Sequence, residues 1–152
     1  ERVLELCLIH DLHEAADHDI PLHQQTPAVR AKKHAAEIQT INKIVDMLDG
    51  DTHMRALFDE YDARQSPESR LVKALDGLDA MLSHLCTPDL GYLCECENGF
   101  YWKLFFSDEF ASGFDFEPAL RQIADEIRTR ASMRLWHEKN IDADICYRGD
   151  KK

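Results

Sequence analysis

The amino-acid sequence predicts an all-α fold, a helical bundle, on the basis of three observations. Apolar residues recur every three or four positions in successive segments, which places them on one face of a helix. Helix-start signals precede two of these segments, at Thr26-Pro27 and at Ser66-Pro67. No segment shows the alternation of apolar and polar residues that is typical of a half-buried strand.

The first three predicted helices lie in the N-terminal half of the chain. The first covers residues 1 to about 16, and its apolar face consists of Val3, Leu4, Cys7 and Leu8. The second begins at Thr26-Pro27 and ends at about Leu48, before Asp49-Gly50. Its inward side chains are predicted to be Ile38, Ile41, Ile44, Val45 and Leu48. A third, short helix spans roughly residues 52 to 64.

The C-terminal half has two clear helices and one ambiguous stretch. Ser66 is the predicted N-cap of a fourth helix. Its predicted buried stripe consists of Leu71, Leu75, Leu78, Leu82 and Leu85. Residues 87–99 are predicted to form a loop, and residues 100–110 are aromatic-rich without a clear local structure. A last helix begins at Pro118 and runs to about His137, and we expect the charged tail after Asn140 to be poorly ordered.

Length and composition predict one domain over residues 1–152. A chain of 152 residues with 44% hydrophobic residues can bury a core of its own. The sequence begins at Glu1 in the middle of a helical pattern, so we expect further residues upstream, including the first helix of the bundle.

Charge and cysteine usage exclude several classes of protein. A net charge of −11 repels a nucleic-acid polymer and an anionic membrane surface. No apolar run approaches the roughly 20 residues that a membrane span requires, and no signal peptide is recognisable. Five scattered cysteines are typical of reduced thiols rather than of a disulfide framework. The sequence therefore predicts a cytoplasmic protein without a nucleic-acid polymer or membrane as partner.

The first predicted helix carries a candidate metal site. His10, Asp11 and Glu14 lie within roughly 60° of Cys7 on a helix with 100° per residue, so they continue the apolar face. An imidazole and a carboxylate side by side are suitable ligands for a divalent cation. The alternative is that the end of the helix emerges into solvent, with His10 and Asp11 as a surface pair.

Two parts of the sequence resemble a known family. The segment Ile9-His10-Asp11-Leu12-His13-Glu14-Ala15, followed by Asp19-Ile20-Pro21, resembles the central motif of HD-domain phosphohydrolases. Residues 57–61 and 66–76 are similar in order and spacing to the branch of this family that contains the 5'-deoxynucleotidases. The resemblance covers about residues 2 to 85 and is faint from residue 86 onward.

The resemblance implies an HD-domain helical bundle and a role for each of five residues. His10, Asp11 and Asp76 match metal ligands, Glu14 matches the general acid/base, and Asp19 matches an acid near the substrate. From the helical pattern alone, Asp76 lies about 100° from the middle of the leucine stripe, a position typical of a solvated acid. The metal is a divalent ion, with Mn, Co, Mg, Fe and Zn all open.

The resemblance also implies a reaction and a partner. The expected enzyme is a phosphoric monoester hydrolase that cleaves (deoxy)nucleoside 5'-monophosphates with a metal-activated water. The family's first metal histidine lies on a helix that precedes Glu1. A homodimer is expected, partly because the family pairs and partly because the aromatic stretch from Phe100 to Phe106 is more apolar than a small monomer needs on its surface.

Two alternative functions are compatible with the same fold. A diiron HD-fold oxygenase would need further histidines, and candidates follow at intervals along the chain: His13, His18, His23, His34 and His53. The other interpretation of these histidines is that they lie on the surface. The second alternative is a catalytically degenerate HD module that binds a nucleotide or a partner without turnover.

Two other sets of residues are better explained without a ligand. Cys94 and Cys96 are too close together for a zinc knuckle and have no partner pair, so loop thiols are the simpler interpretation. The aromatic side chains of residues 100–106 are predicted to cover the core or a subunit contact rather than to stack on a base.

Overall fold

The computed structural model describes residues 1–15, 20–90, 93 and 99–139, and for residues 138 and 139 it describes the backbone alone. Within these residues the chain is helical and has no strand, which confirms the prediction of an all-α fold. Seven α-helices follow in order: α1 (Arg2–Ile9), α2 (Pro27–Met47), α3 (Thr52–Ala63), α4 (Pro67–Leu85), α5 (Phe100–Phe106), α6 (Asp108–Ser112) and α7 (Pro118–Lys139). Two short 3₁₀ helices, Leu12–Ala15 and Leu22–Gln24, connect α1 to α2.

The predicted helix starts are confirmed by side-chain caps. The Thr26 hydroxyl accepts a hydrogen bond from the Val29 N–H at 3.3 Å, with Pro27 at the first helical position. The Asp51 carboxylate accepts the N–H of His53 at 2.8 Å. Each cap satisfies a backbone donor that the first helical turn leaves without a partner.

The helices form two compact units, Glu1–Lys73 and Ala74–Lys152, and the division between them falls within α4. The first unit contains the candidate metal residues of α1 and the turn after it. The second contains α5, α6 and α7. The single domain predicted from the sequence stays a prediction.

The core of the first unit differs from the predicted apolar face of α1. Its buried residues come from α1, α3 and the start of α4: Leu6, Ile9, Leu57, Phe58 and Val72. Val3 and Cys7 pack at its edge, whereas Leu4 and Leu8 are 69% and 78% exposed. The α-helix ends at Ile9 rather than near residue 16, and it turns Leu6 and Ile9 toward α3.

The inward face of α2 is narrower than predicted. Ile41, Ile44 and Val45 are half-buried, but Ile38 and Leu48 are exposed. The fully covered position is Thr40. Within the described residues α2 packs against α3 and the first 3₁₀ helix, and part of its apolar stripe stays exposed.

A polar network joins three elements of the first unit. The Glu60 carboxylate in α3 accepts hydrogen bonds from Arg2 of α1 at 2.8 Å and from the Ser66 hydroxyl at 2.6 Å. Ser66 in turn accepts the N–H of Ser69 at 3.1 Å, which confirms it as the cap of α4. The Ser66 hydroxyl, followed by the Arg2 guanidinium, holds the pKa of the Glu60 carboxyl below its ordinary value.

The second unit has an aromatic and aliphatic interior. Trp102 and Phe105 of α5 are buried, and Phe105 meets Phe110 of α6 edge to face at 5.3 Å between centroids. These two side chains serve the core, as predicted for the aromatic stretch. They therefore do not supply the exposed apolar surface on which the expected homodimer partly rested, and the homodimer stays a prediction.

The predicted leucine stripe of α4 is only partly buried. Leu78 and Leu85 are covered together with Met81, whereas Leu75 and Leu82 are each 41% exposed. The covered face is thus turned from the predicted leucine stripe toward Met81. Leucine spacing thus predicts the correct side of α4 but not the centre of its buried face.

No helix among the described residues has both the length and the apolar composition that crossing a bilayer requires. The thiols of Cys94 and Cys96 and the tail after Asn140 lie outside the described residues, so the predictions made for them stay predictions.

Candidate metal and catalytic site

His10 lies at the C-terminal cap of α1, where the chain leaves the helix. Its Nδ1 lies 2.8 Å from the carbonyl oxygen of Cys7. A carbonyl oxygen can only accept, so Nδ1 carries the proton and Nε2 points away from the helix. The Tyr61 ring meets the imidazole edge to face, with centroids 6.0 Å apart. These two contacts, one from α1 and one from α3, fix the orientation of the ring.

The free nitrogen of His10 faces a carboxylate. His10 Nε2 lies 3.0 Å from Asp11 Oδ2. With its proton on Nδ1, a neutral ring presents a lone pair to this anionic oxygen, so the contact is stabilised either by a second ring proton or by a cation between the two atoms. Two neighbouring ligands of an octahedral divalent ion, each about 2.1 Å from it, are themselves roughly 3.0 Å apart. The donor pair therefore fits a divalent ion.

The pair is open to solvent on one side. The side chain of Asp11 is 60% exposed and that of His10 is 24% exposed. The expectation that His10, Asp11 and Glu14 continue the apolar face is therefore wrong for Asp11 and for Glu14, which is also exposed. The helix ends at Ile9, so the angle of 100° per residue no longer applies beyond it. An open carboxylate is accessible to a ligand from solution.

Glu14 lies on the 3₁₀ helix Leu12–Ala15, which packs against α2. Its Oε1 is 3.8 Å from Nζ of Lys33 and 4.0 Å from Nε2 of His13. Glu37, one turn after Lys33, approaches the same two nitrogens through its own Oε1, at 3.7 Å and 3.4 Å. The carboxylates of Glu14 and Glu37 thus alternate with the nitrogens of Lys33 and His13 in one cluster. In the chain, Glu14 follows Asp11 by three residues.

The other two predicted site residues are placed differently. Asp76 is half-buried on α4 and belongs to the second unit, so its role as the third metal ligand stays a prediction. Asp19, the predicted acid near the substrate, lies outside the described residues. Over residues 1–15, 20–90, 93 and 99–139, no three His, Cys, Asp or Glu side chains form a group that could hold a metal.

The remaining histidines have separate surroundings. His13 has 17% of its side chain exposed and takes part in the cluster around Glu14. His34 is 50% exposed and lies 3.7 Å from the other oxygen of Glu37. His53 is 62% exposed and lies on α3. His18 lies outside the described residues. None of these contacts tests the diiron alternative.

Sequence reasoning missed three contributors to the site. Tyr61 lies in a segment that resembles the family but has no predicted role, and its ring meets the His10 imidazole edge to face. Lys33 and Glu37 form a pair of opposite charge four residues apart on α2. That spacing was a usable signal, because such side chains are neighbours on a helix surface. The spacing does not indicate that Lys33 of this pair lies next to Glu14.

A cavity of about 530 Å³ lies in the second unit, between the C-terminal part of α4 and α7. Its walls are mostly apolar and include none of the predicted site residues. The lining side chains are Leu82, Leu85, Cys86, Gln122, Ile123, Glu126, Ile127, Arg130, Ala131 and Arg134. It is therefore a separate feature from the candidate site.

Comparison with curated proteins finds relatives of one kind. A 5'-deoxynucleotidase of Danio rerio is 34% identical over 84 residues, which cover 54% of this chain and 41% of the relative. The 5'-deoxynucleotidases of Homo sapiens and Mus musculus are 26% and 28% identical over 137 residues, covering 89% of this chain and 63% and 64% of the relatives. The chain thus spans less than two thirds of the length of these proteins.

A family model gives the broader assignment. No solved structure matches the chain. Residues 1–95 match the model of the HD domain, a stretch that includes α1, α2, α3 and α4. The match contains the His10–Asp11 pair, Glu14 and Asp76, and it covers more than half of the chain. The chain therefore belongs to the HD-domain family.

Proposed function

We propose that this chain is the HD domain of a metal-dependent phosphohydrolase that cleaves the phosphomonoester of (deoxy)nucleoside 5'-monophosphates. His10, Asp11 and Asp76 hold a divalent ion, Glu14 is the general acid/base, and Asp19 lies near the substrate. The names of the curated relatives support the substrate class, and the HD-domain match supports the metal dependence.

The observation that carries the proposal is the geometry of His10 and Asp11. The His10 ring is oriented by its bond to the Cys7 carbonyl, and its Nε2 lies 3.0 Å from Asp11 Oδ2. A histidine ligand commonly donates its other ring N–H to a backbone carbonyl, which fixes the tautomer that binds metal. His10 has this arrangement in the described structure.

The chemistry of the site divides between the ion and Glu14. A bound divalent ion polarises a phosphoryl oxygen and lowers the pKa of a water molecule. Glu14, whose side chain is 38% exposed, can accept the proton of the water that attacks phosphorus. It then returns that proton to the 5'-oxygen of the nucleoside as the P–O bond breaks. Proton uptake and release by one carboxyl group leave the enzyme unchanged after each turnover.

The test is a phosphate-release screen over 5'-mononucleotides, combined with metal analysis of the same preparation. We expect release from at least one mononucleotide, loss of activity with a chelator and recovery when a divalent ion is added. His10→Ala should lower both bound metal and turnover. His53→Ala is the matched control, because this histidine is 62% exposed on α3 and has no part in the proposed site.

Other outcomes would contradict the proposal. Chelator-resistant phosphate release would exclude the metal dependence. Two irons per chain with consumption of oxygen would favour the diiron alternative. Nucleotide binding without any phosphate release, in a metal-loaded protein, would favour the degenerate binding module.

A further inference from the structure

We propose that Lys33 and Glu37 of α2 are positioning residues. They hold the Glu14 carboxylate in the position from which it transfers the proton. This inference rests on the proposed function, because it assumes that Glu14 moves the proton. It gives α2 a part in the proposed reaction. Neither the sequence motif nor the comparisons assign a role to this helix.

The first argument is the alternation of charge around Glu14. Oε1 of Glu14 and Oε1 of Glu37 share two nitrogen neighbours, Lys33 Nζ and His13 Nε2, all at 3.4–4.0 Å. Each oxygen is thus bordered by nitrogens rather than by the other oxygen. Without the lysine ammonium, less positive charge would offset the electrostatic repulsion between the carboxylates of Glu14 and Glu37. The more mobile carboxylate would then turn away.

The second argument is the difference between the two elements that meet here. Glu14 lies on a 3₁₀ helix of four residues, a form with poor hydrogen-bond geometry. Lys33 and Glu37 lie one turn apart on α2, a helix of 21 residues with a side-chain cap at Thr26. The long helix is the more rigid of the two. It can therefore fix the position of a carboxylate that its own short element holds weakly.

The third argument is burial. The side chains of Lys33 and Glu37 are only 20% and 21% exposed. Exposed ion pairs contribute little because water screens them and both side chains remain free to move. Here the surrounding protein restricts both partners. Glu37 also contacts His34 through its second oxygen, at 3.7 Å, so this carboxylate is held from both sides.

The expected effect follows from the geometry that proton transfer requires. A general acid/base must lie within hydrogen-bond reach of the proton it moves, and a misplacement of about 1 Å can cost on the order of 10²-fold in rate. Lys33→Gln should therefore lower kcat by roughly 10- to 100-fold. Because the lysine acts through Glu14, KM and bound metal should stay close to those of the unchanged protein.

The experiment compares four variants of the full chain at equal metal content. Lys33→Gln and Glu37→Gln should both lower kcat, and Lys33→Arg should recover part of the loss because it keeps the positive charge. Lys32→Gln is the matched control, since this lysine is exposed on the same helix one residue earlier. Thermal unfolding of each variant shows whether the fold is retained.

Several results would overturn the positioning role. An unchanged kcat in Lys33→Gln would do so, and so would a raised KM with normal kcat, which indicates direct substrate binding by the lysine. If the unchanged protein hydrolyses no nucleotide, the proposed function fails, and crystal structures still test the positioning. A Glu14 carboxylate that keeps its place in Lys33→Gln would then contradict it, whereas a displaced one would support it.

Discussion

His10 shows how one residue at a helix end can be prepared for ligand binding. Its ring N–H bonds to the Cys7 carbonyl, one of the oxygens that the last turn of α1 leaves without a helical partner. The same bond turns Nε2 toward Asp11, the first residue after the cap. Local backbone chemistry therefore orients the imidazole, and Tyr61 packs against it from α3.

Glu14 allows a direct test at the scale of one side chain. Glu14→Gln keeps the shape of the carboxyl group but cannot move a proton, so turnover should fall by on the order of 10²- to 10⁴-fold. Metal content and KM should change little. Steady-state kinetics with metal analysis would measure all three quantities. The control is Asp46→Asn, which neutralises an exposed acid of α2, and near-normal turnover in Glu14→Gln would remove Glu14 from the mechanism.

The sequence indicated some of these residues and not others, for a physical reason. His10 and Asp11 are neighbours in the chain, so their proximity follows from local geometry. Lys33 reaches Glu14 only because the 3₁₀ helix packs against α2, and a contact of that kind depends on tertiary structure. A helical pattern predicts which residues share a face, but it does not predict which other element covers that face.

At the scale of the elements, the Glu60 network gives a structural reason for part of the family resemblance. Glu60 and Ser66 come from the two segments that resemble the 5'-deoxynucleotidase branch. Their side chains join α3 to the first turn of α4, and Arg2 adds α1. In the same segment, Leu57 and Phe58 are buried in the core of the first unit. These residues hold together the scaffold on which His10 lies.

The network predicts a pH dependence of stability. The pKa of Glu60 is lowered in the folded protein from its ordinary value of 4.5, first by the Ser66 hydroxyl and then by Arg2. A lowered folded pKa means that the stabilisation is present above the unfolded pKa and is lost as the pH falls through the folded pKa. Glu60→Gln should therefore reduce the free energy of unfolding at pH 7 by about 1 kcal/mol. Urea unfolding at several pH values measures this.

The same measurement has an internal control. The difference between Glu60→Gln and the unchanged protein should begin to shrink near pH 4.5, where the carboxyl group of the unfolded chain takes up a proton, and should vanish once the pH falls below the lowered pKa of the folded protein. Asp59→Asn, one residue earlier on α3 and 65% exposed, should have a much smaller effect. A difference that is constant between pH 7 and pH 3 would show that the charge of Glu60 does not stabilise the fold.

The elements themselves were predicted best where a local signal fixes them. The starts of α2 and α4 follow from Thr26 and Ser66, whose caps form within one turn. The end of α1 was placed too late, because no proline or glycine breaks the helical pattern there. The burial of Leu75 and Leu82 was also overestimated, since exposure depends on which elements pack on α4 rather than on leucine spacing.

At the scale of the whole molecule, the dominant property is a net charge of −11. Such a chain gains no affinity from releasing counterions along a phosphate backbone. The basic side chains next to the candidate site, His13 and Lys33, are local and are matched by Glu14 and Glu37. A single phosphate needs only an ion and a few donors, whereas a polymer needs an extended basic surface.

This contrast predicts how the substrate series should behave. A nucleoside 5'-monophosphate should release phosphate, and a 5'-phosphorylated oligonucleotide of about ten residues should release it far more slowly, although both carry the same terminal bond. The added phosphates face an acidic protein, and their repulsion should be strongest at low ionic strength, where the Debye length is long. Raising the salt concentration should therefore narrow the difference between the two substrates without abolishing it. Phosphate release measured at two ionic strengths tests this, and efficient hydrolysis of the oligonucleotide that weakens with salt would show an attractive surface and contradict the assignment of a mononucleotide substrate.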